Sequence, residues 1–329
     1  MGRYLVTGGA GYVGSHLVHA LVDRGDAVVV IDDLRQGHRA AVPAGAELVI
    51  ADLADAARLA EVFAGWRFDA VFHFAALSLV GESMRDPARY IIENVGNSLR
   101  LADAAVKAGV MRFVLSSTAA LFGDPETVPI TEDARLLPTN PYGDSKLMVE
   151  RGLEWMDRVH GLRSACLRYF NAAGADPAGR IGEDHDPETH LVPLAIGAAL
   201  GTRPALTVFG DDYPTPDGTP IRDYVHVSDL AEAHLRVLAR LEQGSCRYNL
   251  GTGTGYSVKQ VIAAVERIGG RPVPHAYGPR RAGDPAVLVA GSERLRAETG
   301  WAPGFGTLDD IVRTAWAWHS AHPAGYGDR

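Results

Sequence analysis

Tyr142 and Lys146 stand four residues apart in the stretch Asn140-Pro141-Tyr142-Gly143-Asp144-Ser145-Lys146. Proline suits the first position of a helix, so the phenol and the ammonium share one helical face about a turn apart. A phenol is a weak base, with an ordinary pKa near ~10, and a neighbouring cation favours its anion. Upstream, the apolar run Phe113-Val114-Leu115 ends in Ser116-Ser117-Thr118, a hydroxyl cluster at a strand terminus. A hydroxyl such as Thr118 can bridge the phenol and a substrate oxygen. Oxidation at a carbinol needs such a base for the O–H proton and an acceptor for the hydride. Taken alone, a Tyr/Lys pair on a helix reads as packing with a solvated lysine. The pair gains chemical meaning only if the chain also holds a hydride acceptor.

The N-terminus supplies a place for one. The apolar run Tyr4 to Val6 enters a turn with Gly8, Gly11 and Gly14, and Val13, Leu17, Leu21 and Val22 then follow on one helical face. A strand, a tight turn and a helix N-terminus in this order make a dinucleotide fold. The first glycine allows the turn, the second lets a pyrophosphate approach the backbone, and the third lets helix and strand pack. Free N–H groups and the positive helix end face the phosphates. A second apolar run, Ala27 to Ile31, ends at Asp32, placed to meet the adenosine ribose hydroxyls. An acid there favours NAD over NADP, a preference that Arg35, close by, weakens.

These groups need a sheet to position them. Strand-like runs (Ala27–Ile31, Glu47–Ile50, Asp69–His73, Arg112–Ser117, Leu162–Tyr169) alternate with helical stretches near Ala54–Phe63, Pro87–Ala108 and Pro141–His160. Alternation predicts an α/β fold, a Rossmann-type doubly wound parallel sheet with helices on both faces and ligands beyond the C-terminal strand ends. After Tyr169 the pattern breaks into Gly-, Pro- and Asp-rich sequence with a helix near Leu191–Leu200 and a strand at Leu206–Phe209. The expected organisation is an NAD-binding domain over 1–170 plus about 223–250. A smaller C-terminal α/β substrate lobe takes 171–222 and about 251–305, and a C-terminal helix and tail take about 306–329. Gly325 to Arg329 read as frayed.

Composition narrows the class. At 329 residues and 47% hydrophobic content the chain suits one large domain or two sharing a cleft. The formal net charge of −8 argues against a nucleic-acid partner. No apolar run is long enough for a membrane span and no signal peptide precedes the first strand, so a cytoplasmic protein is expected. Cys166 and Cys246 lack metal-ligand spacing and read as free thiols.

Together with Phe74-Ala75-Ala76-Leu77-Ser78, Tyr169-Phe170-Asn171, Phe209-Gly210-Asp211-Asp212-Tyr213, Arg222-Asp223-Tyr224-Val225-His226 and Arg280-Arg281-Ala282-Gly283-Asp284, these motifs carry a resemblance. The chain resembles the UDP-glucose 4-epimerase family of the extended short-chain dehydrogenase/reductase superfamily, from the first strand to His322-Pro323. The resemblance implies a resident NAD, reduced and reoxidised within one turnover, and a UDP-sugar substrate, most simply UDP-galactose/UDP-glucose. It assigns catalysis to Thr118, Tyr142 and Lys146, with Lys146 lowering the tyrosine pKa and holding the nicotinamide ribose. It places Gly8, Gly11, Tyr12, Val13, Gly14, Asp32, Asp33, Asp52, Leu53, Phe74, Ala75, Ala76, Asn94, Ser116, Tyr142, Lys146 and Tyr169 along the cofactor. Ser78, Thr118, Asn171, His190, Leu191, Thr207, Phe209, Arg222, Tyr224, Arg281, Asp284 and Leu288 fall on the substrate. The family is commonly a homodimer, for which Pro87–Ala108 and Pro141–His160 are the candidate helices. Val95, Leu99 and Leu101 serve that face or the core.

Three departures qualify the match. Ser78 stands where the family often has a lysine to the cofactor. Leu121-Phe122-Gly123 replaces the usual Val-Tyr-Gly, which changes a sugar-side hydroxyl or a packing contact. Leu288 stands where bulk limits the sugar 2-substituent, and it leaves N-acetylated sugars open. The acid- and histidine-rich run Glu183 to His190 lacks a second histidine pair or cysteine pattern, so no metal is expected and it reads as a lobe-closing loop with His190 near the nucleotide. The alternatives are C4 epimerisation of another nucleotide sugar (UDP-GlcNAc, a UDP-pentose or a specialised sugar) and a related dehydratase or decarboxylase. Ala119-Ala120 after Thr118, in place of Asp-Glu, disfavours elimination. A non-catalytic NAD-binding protein would have no reason to keep both Tyr142 and Lys146.

Overall fold

The computed structural model describes residues 1–281 and 284–328. Ala282 and Gly283, inside the Arg280–Asp284 motif, and Arg329, at the end of the expected frayed tail, lie outside the described residues.

The first half alternates as its periodicity predicts: β1 (Arg3–Thr7), α1 (Tyr12–Asp23), β2 (Ala27–Asp32), β3 (Ala46–Ile50), α2 (Ala56–Gly65) and β4 (Ala70–His73). Short helices α3 (Val80–Ser83) and α4 (Pro87–Tyr90) lead through a widened π turn, 91–96, into α5 (Asn97–Lys107). The long helix expected over Pro87–Ala108 is therefore not uniform, and such widened turns recur where a side chain must be re-aimed. Then come β5 (Arg112–Thr118), α6 (Pro141–His160) and β6 (Arg163–Tyr169). Asn140 caps α6 by accepting the Gly143 N–H at 2.9 Å, and a left-handed Gly161 ends it.

The second half holds β7 (Asn171–Ala173), α7 (Leu191–Leu200), β8 (Leu206–Phe209), β9 (Ile221–His226), α8 (Val227–Arg240) and β10 (Cys246–Leu250). It ends with β11 (Gly255–Ser257), α9 (Val258–Gly269), β12 (His275–Gly278), β13 (Val287–Leu288), α10 (Glu293–Thr299) and α11 (Leu308–Ala321). Seven parallel strands form the main sheet in the order β10-β6-β5-β4-β1-β2-β3. The order reverses between β1 and β4, which opens a crevice at their C-terminal ends. Strands covered on both faces read as continuous apolar runs. Val6, Val28, Val30 and Phe72 face the α1/α8 layer, while Leu5, Val29, Val71 and Phe113 face α2, α5 and α6.

A second core joins α7, α9 and α11, with Val192, Ile196, Val261, Val265, Ile311 and Val312 buried together. Helix α11 thus packs into this lobe. The tail is not frayed: the Tyr326 ring stacks on His38 at 4.6 Å, and Asp328 lies 2.6 Å from His38 Nδ1. Among the described residues no helix is long and apolar enough to cross a membrane. Both cysteines are free thiols.

A buried ion pair ties α6 to the sheet. Glu150 accepts from Arg168 at 3.1 and 2.7 Å and from Ser117 Oγ at 2.6 Å. Removing one partner strands a buried charge. Glu150→Ala is expected to cost about 3–5 kcal/mol in urea unfolding, because Arg168 keeps its desolvation cost without its partner. An unchanged unfolding midpoint would contradict that role.

Candidate functional site

The glycine turn is shaped for close approach. Gly8 has φ +71°, and a Cβ there would lie 2.5 Å from the Ala75 nitrogen. A Cβ on Gly14 would lie 2.2 Å from the Gly8 carbonyl oxygen, so α1 packs directly on the turn. Gly11 begins α1 without any side-chain cap, which leaves the first-turn N–H groups of Tyr12 and Val13 directed out of the helix. This cradle fits a pyrophosphate.

Asp32 ends β2 nearly buried, accepting from the Ala10 and Leu34 N–H groups at 3.0 and 2.9 Å. Burial raises its carboxyl pKa, and those two hydrogen bonds act in the other direction. Arg35 is held by Asp33 at 2.5 Å and Glu93 at 3.0 Å, so its charge is already matched by acids. Asp52 accepts the Ala54 N–H at 2.8 Å, and Leu53 is buried beside it.

The loop after β4 forms the opposite wall. Phe74 and Ala75 both donate backbone N–H groups to the Thr7 carbonyl, and Ser78 is exposed. Asn94, in the widened turn, commits its amide to the protein: it accepts from the Leu77 N–H at 2.8 Å and donates to the Leu77 carbonyl and Ser145 Oγ, each at 3.0 Å. It therefore positions the loop that follows β4. His73 was missed by sequence reasoning. It lies beneath the turn, bonded to Thr7 Oγ1 and Ser98 Oγ at 2.7 Å each, with burial pushing it down to about 3 and holding it neutral.

The reaction centre lies where β5 and α6 meet. A Cβ on Gly143 would be 2.5 Å from the Ala120 carbonyl oxygen, so only glycine lets the first turn of α6 settle on the turn after Thr118. Thr118 accepts the Ala120 N–H at 3.1 Å and hydrogen-bonds the Tyr142 phenol. In the chain without its cofactor, Tyr142 and Lys146 have separate partners. Burial raises the phenol pKa, only the Thr118 hydrogen bond opposes it, and Lys146 donates instead to the Ser116 carbonyl at 2.8 Å. Burial pushes the Lys146 ammonium down to about 8. The Ser116 and Tyr169 hydroxyls are hydrogen-bonded on the adjacent strands.

The second lobe brings together part of the remaining set. Arg222 pairs with Asp284, and the Arg281 guanidinium lies over the Phe209 ring at 4.2 Å. Asn171 donates to the Asp223 carbonyl at 2.9 Å. Tyr224 is buried in the second core and Thr207 is exposed on β8, so neither is grouped with Arg222 and Asp284 by a hydrogen bond. Leu191 opens α7. His190 is drawn to acids, its Nδ1 lying 2.8 Å from Glu183 and 3.0 Å from Glu188, at the residue that precedes α7. Leu121 and Phe122 are fully buried against Ile130 and Leu147, with Leu288 packed on the same cluster. The Leu121-Phe122 departure is thus a packing change.

Three comparisons place this geometry. Residues 4–251 match the NAD dependent epimerase/dehydratase family. The UDP-glucose 4-epimerase of Lacticaseibacillus casei is 48% identical over 98% of both chains. The crystal structure of UDP-glucose 4-epimerase from Brucella ovis in complex with NAD superposes with a TM-score of 0.93 at 45% identity, covering 96% of this chain and 98% of that one. The one from Bifidobacterium longum in complex with NAD+ and UDP has a TM-score of 0.93 at 36% identity, covering 98% of this chain and 100% of that one.

Burial makes Lys146 separable from its fellows. The chain has only three lysines, Lys107, Lys146 and Lys259. In a carbon-13 NMR pH titration of the ligand-free protein, one lysine signal is expected to titrate near about 8, below the ordinary lysine range. Its loss in Lys146→Met makes the assignment, and the absence of any lysine signal titrating below the ordinary range would contradict this burial.

Proposed function

The chain belongs to the UDP-glucose 4-epimerase family of NAD dependent epimerases and dehydratases, and from that membership we propose that it interconverts UDP-galactose and UDP-glucose through a transient 4-keto sugar. The observation that carries this reading is the Tyr142 phenol hydrogen-bonded to Thr118 at the C-terminal end of β5, with the glycine cradle at the same end of the parallel sheet. When bound, NAD supplies the acceptor and then the donor of the C4 hydride. Gly8, Gly11, Tyr12, Val13 and Gly14 would hold its pyrophosphate, and Asp32 its adenosine ribose. Tyr142 takes the sugar 4-hydroxyl proton and later returns it, while Thr118 orients the 4-oxygen. Lys146 would hold the second ribose. The 4-keto sugar must turn between the two transfers, so the nucleotide has to anchor it while the sugar is released.

That anchor is the second lobe, for which we keep residues 171–222 and about 251–305, with α11 added to it. Arg222 and Arg281 would bind the diphosphate through charge-assisted hydrogen bonds. Both are already engaged, by Asp284 and Phe209, so binding exchanges partners. Phe209 would then flank the uracil, Asp284 accept from ribose hydroxyls, and Leu288 wall the sugar. NAD is favoured over NADP because Asp32 lies where a ribose phosphate would sit, and Arg35 is matched by acids. A homodimer through α5 and α6 would cover Ile92, Trp155 and Val159, which are exposed on this chain at 69%, 63% and 66%. A cytoplasmic setting suits the two free thiols.

Supplied with UDP-galactose and no added NAD, the purified protein is expected to form UDP-glucose up to a plateau, followed by NMR. UDP-galactose that binds without conversion would move the substrate to another UDP-sugar. Tyr142→Phe is expected to lower kcat by about 100- to 10,000-fold while NAD stays bound. Unchanged turnover in that variant would remove Tyr142 from the mechanism.

A further inference from the structure

Away from the reaction centre, the loop between β7 and α7 gathers a dense set of ligand-type side chains. Glu183, His185, Glu188 and His190 each bring one ligand atom within 4.8 Å of all the others. Glu183 and Glu188 are buried, at 3% and 2% side-chain exposure. Among the described residues their only ion-pair partners are these two imidazoles. Two carboxylates taken out of water together carry a desolvation cost of several kcal/mol each unless positive charge compensates them. Two imidazolium ions could supply that charge, and so could one divalent cation.

Geometry separates the two. If the cluster were only ion pairs, each buried acceptor would be met by an aligned N–H. Yet among the described residues Glu183 Oε1 and His185 Nδ1, both shielded from solvent, have no well-aligned hydrogen-bond partner, although they lie 3.2 Å apart. His190 Nδ1 reaches the same Glu183 oxygen at 2.8 Å and Glu188 at 3.0 Å, and His185 Nδ1 is 3.6 Å from Glu188. Ligands about 2.1 Å from a tetrahedral zinc ion stand about 3.4 Å from one another, close to this spread. Glu188 Oε1 also accepts the Thr189 and His190 N–H groups at 2.7 and 2.8 Å, and the four ligand atoms lie close enough together for one ion to bind among them after an outward movement.

We propose that Glu183, His185, Glu188 and His190 bind one divalent transition-metal ion of the zinc class, which fixes this loop against the cofactor turn. Two imidazoles and two carboxylates form a closed four-ligand set, which suits zinc rather than magnesium or calcium. Each histidine binds as the neutral imidazole, so any proton it carries leaves on coordination. A polar cavity of about 320 Å³, whose lining includes Glu183, His185, Glu188 and His319, gives the ion a path from solvent. The loop is already bound on several sides. The His185 ring meets the Tyr12 ring edge-on at 6.0 Å, Gln36 donates to the Asp186 carbonyl at 3.0 Å, and His190 precedes the first turn of α7. An ion there would join the phosphate-binding end of α1 to the helix that opens with Leu191.

The test is zinc uptake by the full chain, stripped with a chelator, desalted and titrated with zinc chloride against a chromophoric competitor. The expected result is about one zinc per chain, undisturbed by millimolar magnesium, with a thermal midpoint raised by about 5 °C at saturation. Cobalt(II) loaded in its place is expected to show tetrahedral d–d bands without thiolate charge transfer. His185→Ala and Glu188→Gln are each expected to weaken zinc binding by about 100-fold. Absence of stoichiometric uptake, or uptake that both variants retain unchanged, overturns the proposal. Should the variants fail to fold, the cobalt spectrum of the unaltered chain decides: tetrahedral bands support the site, and only the octahedral spectrum of solvated cobalt overturns it.

Discussion

The contact between the first turn of α6 and the turn after Thr118 governs the reaction centre. It exists because residue 143 has no side chain: a Cβ would stand 2.5 Å from the Ala120 carbonyl oxygen. Any larger residue would lift the helix off the strand end, carrying Tyr142 away from Thr118 and Lys146 away from the Ser116 carbonyl. One turn further along, Glu150 fixes the same helix to β5 through Ser117 and to β6 through Arg168. The three groups assigned to chemistry are therefore held from beneath by a buried charge pair and from the side by a backbone contact. Preorganisation of this kind is what lets a weakly basic phenol be used at all.

The electrostatics of the centre follow from the same burial. Close packing desolvates both Tyr142 and Lys146, and desolvation disfavours the charged form of each. The phenol is raised and the ammonium lowered toward about 8, so on the protein's own groups the tyrosine stays neutral. Thr118 alone works in the opposite direction. Proton removal from the sugar is thus coupled to what binds beside the phenol, not to a standing tyrosinate. A site that generated its base in the empty state would expose a reactive group without a substrate to receive it.

How much of this the sequence disclosed depends on the range of the interaction. Strand and helix positions were legible because continuous apolar runs and the 3.6-residue period are local signals. The cofactor turn was legible because Gly8, Gly11 and Gly14 lie within one short stretch. Side-chain networks were not. Asn94 and Ser145, Glu150 and Arg168, and His38 and Asp328 are each far apart in the chain, and no local pattern marks them as partners. The tail read as frayed because its Gly-rich composition is that of a loose end, while the His38 and Trp318 rings that hold Tyr326 come from other elements. For Gly143 the signal was in view, inside the Tyr142–Lys146 stretch, but its meaning depends on Ala120. The acid–histidine loop shows neither a second histidine pair nor a cysteine pattern in sequence, and the convergence of its four ligand-type side chains appears only once the loop folds back.

The second lobe adds a constraint of a different kind. Arg222 and Arg281, the cations proposed to bind the diphosphate, rest on Asp284 and Phe209. A ligand that recruits them must offer more than the contacts they give up, so the net gain is the difference between charge-assisted hydrogen bonds to phosphate and the existing pair and stacking contact. Charged groups held this way lose less side-chain entropy on binding than free surface arginines would, because they are already partly ordered. The arrangement also favours a ligand bearing both a diphosphate and an aromatic base, since only such a ligand replaces both partners at once. A bare phosphate would disrupt the pairs and leave the Phe209 face exposed. A ligand that recruits these side chains must therefore displace the interactions they already make with one another.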